Sequence, residues 1–370
     1  MVERDAASVD AAVDPPGPDA GALGRPERCN GIDDDLDGKR DEGCPIRITD
    51  DPRQDVYPSL SGSRVAWTRQ PFERMGYVGE LWVQDLPDGE PRLVEEEAAL
   101  ASLSGDRVAF LQGDTYVVVD LVTDARTVIE PESVHYAQRP SLDGEVLVWS
   151  QLMEGSVEDF EVFAHDLGTA TTHRIGRDPN VQQFPRVEDG RIVWQDDRLG
   201  HHTIGQLHLF DLYVADDLSG NARRLTLRDP DTTIGGVVAL DRGRALVTEH
   251  FGDVTDVASP QPCAPVIYDV DTAVRTELLE RTLECYTARD LSGRWAVFEY
   301  DAEGISDLYL LDLDSGVLRQ VTRHRRYSTR AHVDGDVLVW QDDRNDHWDL
   351  YFMDLSDVDD GDFFPEGVAP

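Results

Sequence analysis

Between Cys29 and Cys44 the chain reads Cys-Asn-Gly-Ile-Asp-Asp-Asp-Leu-Asp-Gly-Lys-Arg-Asp-Glu-Gly-Cys. Asp33, Asp35 and Asp37 occupy alternate positions and Gly38 follows at once. This spacing lets one loop wrap a hard cation, with carboxylates at its first, third and fifth positions and glycine making the sharp turn. The twelfth position, where an EF-hand carries its bidentate Glu, is Cys44. Asp41 or Glu42 must therefore finish the shell, with the Lys39 carbonyl as a further oxygen. An all-oxygen donor set favours calcium over zinc or copper, which prefer nitrogen and sulfur. The competing expectation is an acidic, disulfide-pinned loop that stays empty at ambient calcium.

Other residues able to do chemistry are scattered. His201, His202, His250 and His347 fall in polar segments beside acids. Histidines near carboxylates bind metals or shuttle protons, but separation in sequence fixes no geometry, so ordinary surface histidines are the expectation. The segment Val193-Trp194-Gln195-Asp196-Asp197-Arg198 recurs as Val339-Trp340-Gln341-Asp342-Asp343-Arg344. A catalytic dyad would more naturally be unique. Its repetition predicts a structural role, an Asp-Arg pair closing a hairpin while the Trp packs between repeats. The chain has no Gly-x-Ser-x-Gly elbow, no His-Glu-x-x-His and no phosphate-binding glycine loop.

Such residues must be positioned by something, and the recurrence shows what. Weaker copies stand at Arg64-Val65-Ala66-Trp67, Arg107-Val108-Ala109-Phe110, Leu147-Val148-Trp149, Arg244-Ala245-Leu246-Val247 and Trp295-Ala296-Val297-Phe298. With Trp67, Phe110, Trp149, Trp194, Val247, Phe298 and Trp340 as markers, the repeats are 39 to 53 residues apart, the period of a propeller blade. Each unit has a Pro- or Ser-rich lead-in, a tight turn, a β-branched run ending in the marker, and a variable polar loop. An apolar-x-Asp-Leu run and a short Arg-x-apolar-Thr run complete it. These predict four antiparallel strands, a to d. Turns such as Ser61-Gly62, Ser104-Gly105, Asp143-Gly144, Asp189-Gly190, Ser292-Gly293 and Asp334-Gly335 supply the positive φ that tight hairpins need, and the fifth unit has Arg242-Gly243.

The seventh unit ends after Phe352-Met353-Asp354-Leu355 without a fourth strand, while Ile46-Arg47-Ile48-Thr49 precedes the first unit with nothing to pair with. Pairing the two would close a ring and protect two open edges. The expectation is an all-β, seven-bladed propeller of four-stranded blades closed by its N-terminal strand. Six or eight blades are the alternatives if the irregular fifth unit is misread.

The pattern Pro-x-x-Ser-x-Gly, x-Val-Ala-Trp, apolar-x-Asp-Leu and Arg-x-x-Thr over residues 46–355 resembles the TolB-like propeller repeats of secreted and periplasmic bacterial proteins, and the Trp-Gln-Asp-Asp-Arg copies resemble their surface-protein subset. The Cys29–Cys44 segment is similar to a Cys-flanked metal-binding motif of secreted bacterial proteins. Many copies of that motif carry a further Cys where this chain has Leu36, which leaves Cys29 and Cys44 as an even pair. The resemblance implies a fold and not a function, because propellers host scaffolds, lyases, hydrolases and domains attached to peptidases.

The chain of 370 residues has four cysteines, an even number that predicts two disulfides, Cys29 with Cys44 and Cys263 with Cys285. Cys263 falls at the start of strand c of the fifth unit and Cys285 near the start of strand a of the sixth, on one rim. Two disulfides imply an oxidising compartment. No export signal is visible at Met1-Val2-Glu3-Arg4 and no run of apolar residues is long enough to span a membrane. An extracytoplasmic location (periplasmic, secreted or cell surface) is the expectation from the cysteines and from an Ala/Asp/Pro linker over residues 1–28. The motif covers 29–45, the propeller 46–355 and an acidic tail 356–370.

A net charge of −40 argues against nucleic acid as a partner, since phosphate contacts need clustered cations. The one basic run, Arg323-His324-Arg325-Arg326, reads as a solvated loop. Long variable loops between strands b and c, within Thr68–Gly79, Gln151–Phe160, Gln195–Gln206, Glu249–Pro262 and Tyr300–Asp307, share a rim with the starts of strands a. The function expected is a monomeric, non-catalytic scaffold presenting that rim to a protein or glycan. The alternatives are a polysaccharide lyase or glycan hydrolase acting in the central pocket, recognisable by His and acidic side chains converging there, and an inert surface spacer.

Overall fold

The computed structural model describes residues 44–71, 76–131, 138–156, 159–177, 181–198, 209–226, 232–252, 261–302, 304–323 and 326–356. The metal motif residues Asp33, Asp35, Asp37, Lys39, Asp41 and Glu42, with Cys29, His201 and His202, lie outside them. Among the described residues there are strands and turns and no helix, hence no helix able to cross a membrane. The strands form antiparallel sheets, five of four strands and one of seven. They make a β-propeller.

Within each unit neighbouring strands follow chain order, the N-terminal strand added to the last unit excepted, and each marker lies on its unit's second strand. The markers Trp67, Phe110, Trp149, Trp194, Phe298 and Trp340 are fully buried. Trp194 packs with Val148, Val162, Ala164 and Ile175 of the preceding sheet, so the aromatic does fill the space between blades. The first strands are Gln54–Ser61, Arg92–Ser104, Ser141–Asp143, Gln182–Glu188, Thr232–Asp241, Tyr286–Ser292 and Ser328–Asp334. Each neighbours the next, and the last neighbours Gln54–Ser61, so they surround a common axis.

Sequence and structure differ over the first two units. These share one seven-stranded sheet, because the 13-residue strand Arg92–Ser104 serves as outer strand of the first and inner strand of the second. The stretch Glu95-Glu96-Glu97-Ala98-Ala99 has no Gly or Pro to break it, so the strand bends at register shifts and continues.

The ring closes through the N-terminal strand. Ile46 pairs with Phe352 and Arg47 with Tyr351 in an antiparallel ladder added to the last sheet. The ladder is shorter than the predicted 46–49 but the contact continues. Ile48 N–H donates to the Leu350 carbonyl at 2.7 Å, and the Thr49 hydroxyl accepts from Leu350 N–H at 2.9 Å. Arg47 also pairs with the buried Asp349 at 2.8 Å.

The turns explain how blades hold one another. The acid or hydroxyl ending each first strand accepts a backbone N–H from the turn of the next unit. Ser61 takes Gly105, Ser104 takes Gly144, Asp143 takes Asp189 and Glu188 takes Gly243. Asp241 then takes Gly293, Ser292 takes Gly335, and Asp334 takes Gly62 to complete the circle. The turns thus do two things: the glycine adopts positive φ, as at Gly62 (+56°), and the side chain ending the first strand joins the blades, one residue before the glycine in most units and two before it at Glu188 and Asp241.

Candidate functional site

Two positions of the repeat lie in or just before the first strands, which surround the axis. Counting back from the marker, the eighth residue is Ser59, Ser102, Ser141, Arg186, Ala239, Asp290 and His332 through the seven units, and the tenth is Tyr57, Leu100, Arg139, Phe184, Val237, Ala288 and Arg330. The serines have a structural task. Ser59, Ser102 and Ser141 accept N–H bonds from Leu103, Leu142 and Val187 of the next unit at 3.0, 3.1 and 3.3 Å. Asp290 does the same for Val333 at 3.1 Å. At Arg186 and His332 the small acceptor is replaced by a large basic side chain.

The backbone here is shaped by bulges. Register shifts interrupt the first strands between Val56 and Ser59, Gln183 and Arg186, and Thr329 and His332. Tyr57 (+58°), Phe184 (+53°) and Arg330 (+55°) take left-handed φ there. Positive φ on bulky residues is costly, and a bulge re-aims side chains that would otherwise follow the pleat. Pro58, Pro140 and Pro185 stand immediately after Tyr57, Arg139 and Phe184; proline tolerates a bulge because no ladder N–H is required.

The result is a basic cluster drawn from several units. Arg139 donates to the Pro58 carbonyl at 2.7 Å, to the Ala101 carbonyl at 3.1 Å and to His332 Nε2 at 3.3 Å. His332 Nδ1 lies 3.0 Å from the Asp290 carboxylate. A guanidinium only donates, so Nε2 is the acceptor and Nδ1 carries the proton that Asp290 receives. Arg186 makes one hydrogen bond, to the adjacent Pro185 carbonyl. The Arg330 guanidinium stacks over the Tyr57 ring, 4.5 Å from its centroid, and Tyr57 in turn meets the exposed Tyr77 ring at 5.4 Å. Tyr77 follows the first b–c loop, so this end of the cluster faces that rim.

Electrostatics agree with the contacts. Burial, followed by repulsion from Arg186 and Arg330, lowers the Arg139 pKa to about 9, against a smaller opposing pull from Asp290. Burial also lowers Arg186, with Asp290 again opposing. His332 falls below its ordinary value because burial outweighs Asp290. Among the described residues the carboxylates beside these arginines are Asp290 and the buried Glu299, which pairs with Arg289.

The rim acids behave differently. Asp196 is fully buried and receives Trp194 Nε1 at 3.0 Å and Arg198 Nε at 2.9 Å. Asp342 repeats this with Trp340 at 3.2 Å and Arg344 at 2.9 Å, and adds the Ser328 hydroxyl at 2.9 Å. Asp55 builds the same clamp from another strand, with Trp67 at 2.9 Å and Arg69 at 2.7 Å. Each arginine lies over the ring of the neighbouring strand, Trp82, Tyr213 or Tyr351. Elsewhere, Glu161 pairs with Arg174, Glu249 with Arg275 and Glu299 with Arg289. These carboxylates hold hairpins.

The histidines singled out from sequence do not converge. His347 sits by the closing strand, 3.3 Å from both Arg47 and Asp349. His250 pairs across from Thr233 on the fifth sheet, beside Gly235, with its pKa lowered by burial. Of the basic run, Arg326 pairs with Asp346 and Arg323 reaches Gln320. Cys263 and Cys285 form a disulfide, Cα atoms 5.6 Å apart, and Cys44 is buried and disulfide-bonded. Among the described residues no group of three or more His, Cys, Asp or Glu could hold a metal. The axial residues Arg139, Arg186, Asp290, Arg330 and His332 escaped the sequence reading, although a signal existed: the repeat position that keeps Ser in three units becomes Arg, Asp or His in three others.

No family model and no curated protein matches the chain. Solved structures do. The β-propeller domain of the Trilobed protease from Pyrococcus furiosus has a TM-score of 0.64 at 15% identity, over 86% of this chain and 99% of that one. An oligogalacturonate lyase in complex with manganese gives 0.64 at 14%, over 85% and 93%. The oligogalacturonate lyase from Vibrio parahaemolyticus gives 0.65 at 12%, over 85% and 94%. At such identities the likeness is one of fold, and it is a propeller.

Proposed function

We propose that the protein is a non-catalytic, extracytoplasmic binding scaffold that receives a protein or glycan partner at the rim carrying the b–c loops. The observation that carries this reading is the state of His332, which among the described residues is the histidine found at the axis beside an acid. A general base needs a free nitrogen lone pair within reach of the proton it takes; here Nδ1 is turned to Asp290 and Nε2 is capped by Arg139. The buried rim acids are likewise held in ion pairs with arginines, which favours a rigid platform over an acid-base pair. The Cys263–Cys285 disulfide supports an oxidising compartment. The N-terminal motif belongs to the same reading. Its donors are oxygens, which suits calcium, and calcium there would stiffen the segment leading into the closing strand.

A second reading is favoured by one contact. His332 at 3.0 Å from Asp290, among arginines, is the convergence expected of a polysaccharide lyase or glycan hydrolase, and oligogalacturonate lyases share the fold. The test is retention of soluble envelope glycans and peptides on the immobilised, oxidised chain. Saturable retention of one class supports the scaffold; no saturable retention of either overturns it.

A further inference from the structure

We infer that the ring axis is an oxyanion-binding site in which Arg186 and Arg330, backed by Arg139, take a multiply charged oxyanion group of the ligand. This deepens the scaffold reading and rests on it. Three guanidinium groups from three repeats approach the axis, and the two carboxylates beside them are already engaged: Asp290 is shared between His332 and the Val333 amide, and the buried Glu299 pairs with Arg289 and accepts the Arg330 amide. Their engagement is unequal. Arg139 is fixed by two carbonyls and His332, so it is a supporting member. Among the described residues the Arg186 guanidinium makes a single hydrogen bond, to its neighbour's carbonyl, and the exposed Arg330 guanidinium lies over Tyr57 with no carboxylate paired to it, Glu299 taking only its backbone amide.

A guanidinium offers five N–H donors in a fork that matches two oxygens of a carboxylate, phosphate or sulfate. Elsewhere in this chain such forks are spent on acids, as at Arg69, Arg198 and Arg344. The acids available are plentiful, with 74 Asp and Glu against 34 Lys and Arg, yet among the described residues the two beside these arginines, Asp290 and Glu299, are spent on other groups. The backbone is bent to deliver the cations: Arg330 itself takes φ of +55°, and Arg186 stands at the end of a register shift. In the units that need only structure, the position of Arg186 is a serine joining adjacent blades. The acidic exterior does not cancel this charge, because salt screens exposed charges over about 8 Å at physiological ionic strength.

The test is calorimetric titration of the full, oxidised chain with inorganic phosphate, sulfate and citrate at constant ionic strength in chloride. Saturable binding of at least one is expected, weakened about tenfold or more in Arg186→Gln and in Arg330→Gln. Arg323→Gln, in the exposed basic run, should bind as the parent does. Arg186→Lys keeps charge but not the fork, and should recover part of the loss. Thermal unfolding of each variant must match the parent, which separates a lost site from a lost fold. No saturable heat from any of the three ions overturns the inference, as does equal affinity in Arg186→Gln. A second arm compares dextran sulfate with dextran: preference for the sulfated polymer marks a polymer-borne group, and equal response to free sulfate marks a free ion. Macromolecular retention that survives Arg186→Gln and Arg330→Gln unchanged sinks the axial site and leaves the scaffold standing.

Discussion

The Gly62 amide donates a 2.6 Å hydrogen bond to the Asp334 carboxylate across 272 residues of chain. It joins the first and last units with the same device that joins every other neighbouring pair, so the seam is held at its turns as well as by the added strand. Replacing Asp334 with Ala should cost about 1 kcal/mol, the range for a solvent-accessible hydrogen bond. Ser104→Ala, at an internal junction, should cost a similar amount. Urea unfolding of the two variants compares seam with interior.

The closing strand is a larger contributor. Ile48→Pro removes the donor to the Leu350 carbonyl and should destabilise by on the order of 2–3 kcal/mol. Ile48→Val keeps the bond and should stay within about 1 kcal/mol of the parent. Denaturant midpoints decide it, and equal midpoints for parent and Ile48→Pro would deny the strand its role.

The repeated Trp-Gln-Asp-Asp-Arg segment makes a sharp internal contrast. Asp342 receives Trp340, Arg344 and Ser328, while Asp343 receives the exposed Tyr327 amide. Asp342→Ala should therefore cost about 3 kcal/mol or more by stranding a charged, partly buried arginine, and Asp343→Ala about 1 kcal/mol. Thermal and urea unfolding read the difference.

Repeats made the propeller legible: glycine turns, aromatic markers and the orphan strand at 46–49 each had one physical explanation. The same regularity hid the axis. Arg139, Arg186, Asp290 and the Arg330/His332 pair lie far apart in sequence, and no local motif marks any of them. Only the alignment of one repeat upon another shows that Arg186 and His332 stand where Ser59 and Ser102 stand. The histidines that drew notice, His250 and His347, attracted attention by lying in polar segments, a property that says nothing about convergence. The fused first and second units were missed because a strand break was assumed where Glu95 to Ala99 contains no breaker.

Acid should weaken the fold before carboxylates protonate. The pKa of His332 is lowered in the folded chain chiefly by burial, and Arg139 and Arg186 face it while Asp290 opposes them. Burial likewise lowers His165 and His250. A group with a depressed folded pKa takes up its proton first in the unfolded chain, at about 6.5 for His. Stability is then full above that pH and falls as pH drops from about 7 toward 5. Unfolding free energy measured across this window should slope downward, and less steeply in His332→Gln.

Calcium removal tests the N-terminal motif. If Asp33, Asp35, Asp37 and Asp41 hold calcium ahead of the closing strand, the melting temperature should rise in millimolar calcium and fall with chelator. Changing Asp33, Asp35 and Asp37 together to Asn should abolish the difference. No shift in the parent would detach the motif from the stability of the ring.

The central claim is that the ring binds and does not cleave. Its most direct test is the chain length of acidic polysaccharides, uronate polymers included, after prolonged incubation with the full, oxidised protein, with calcium or manganese supplied. Chain length is read by size exclusion, and new double bonds by ultraviolet absorbance. The account predicts unchanged chain length and no absorbance gain at protein concentrations that retain the ligand. Shortened chains that depend on His332 would contradict it and establish the enzyme.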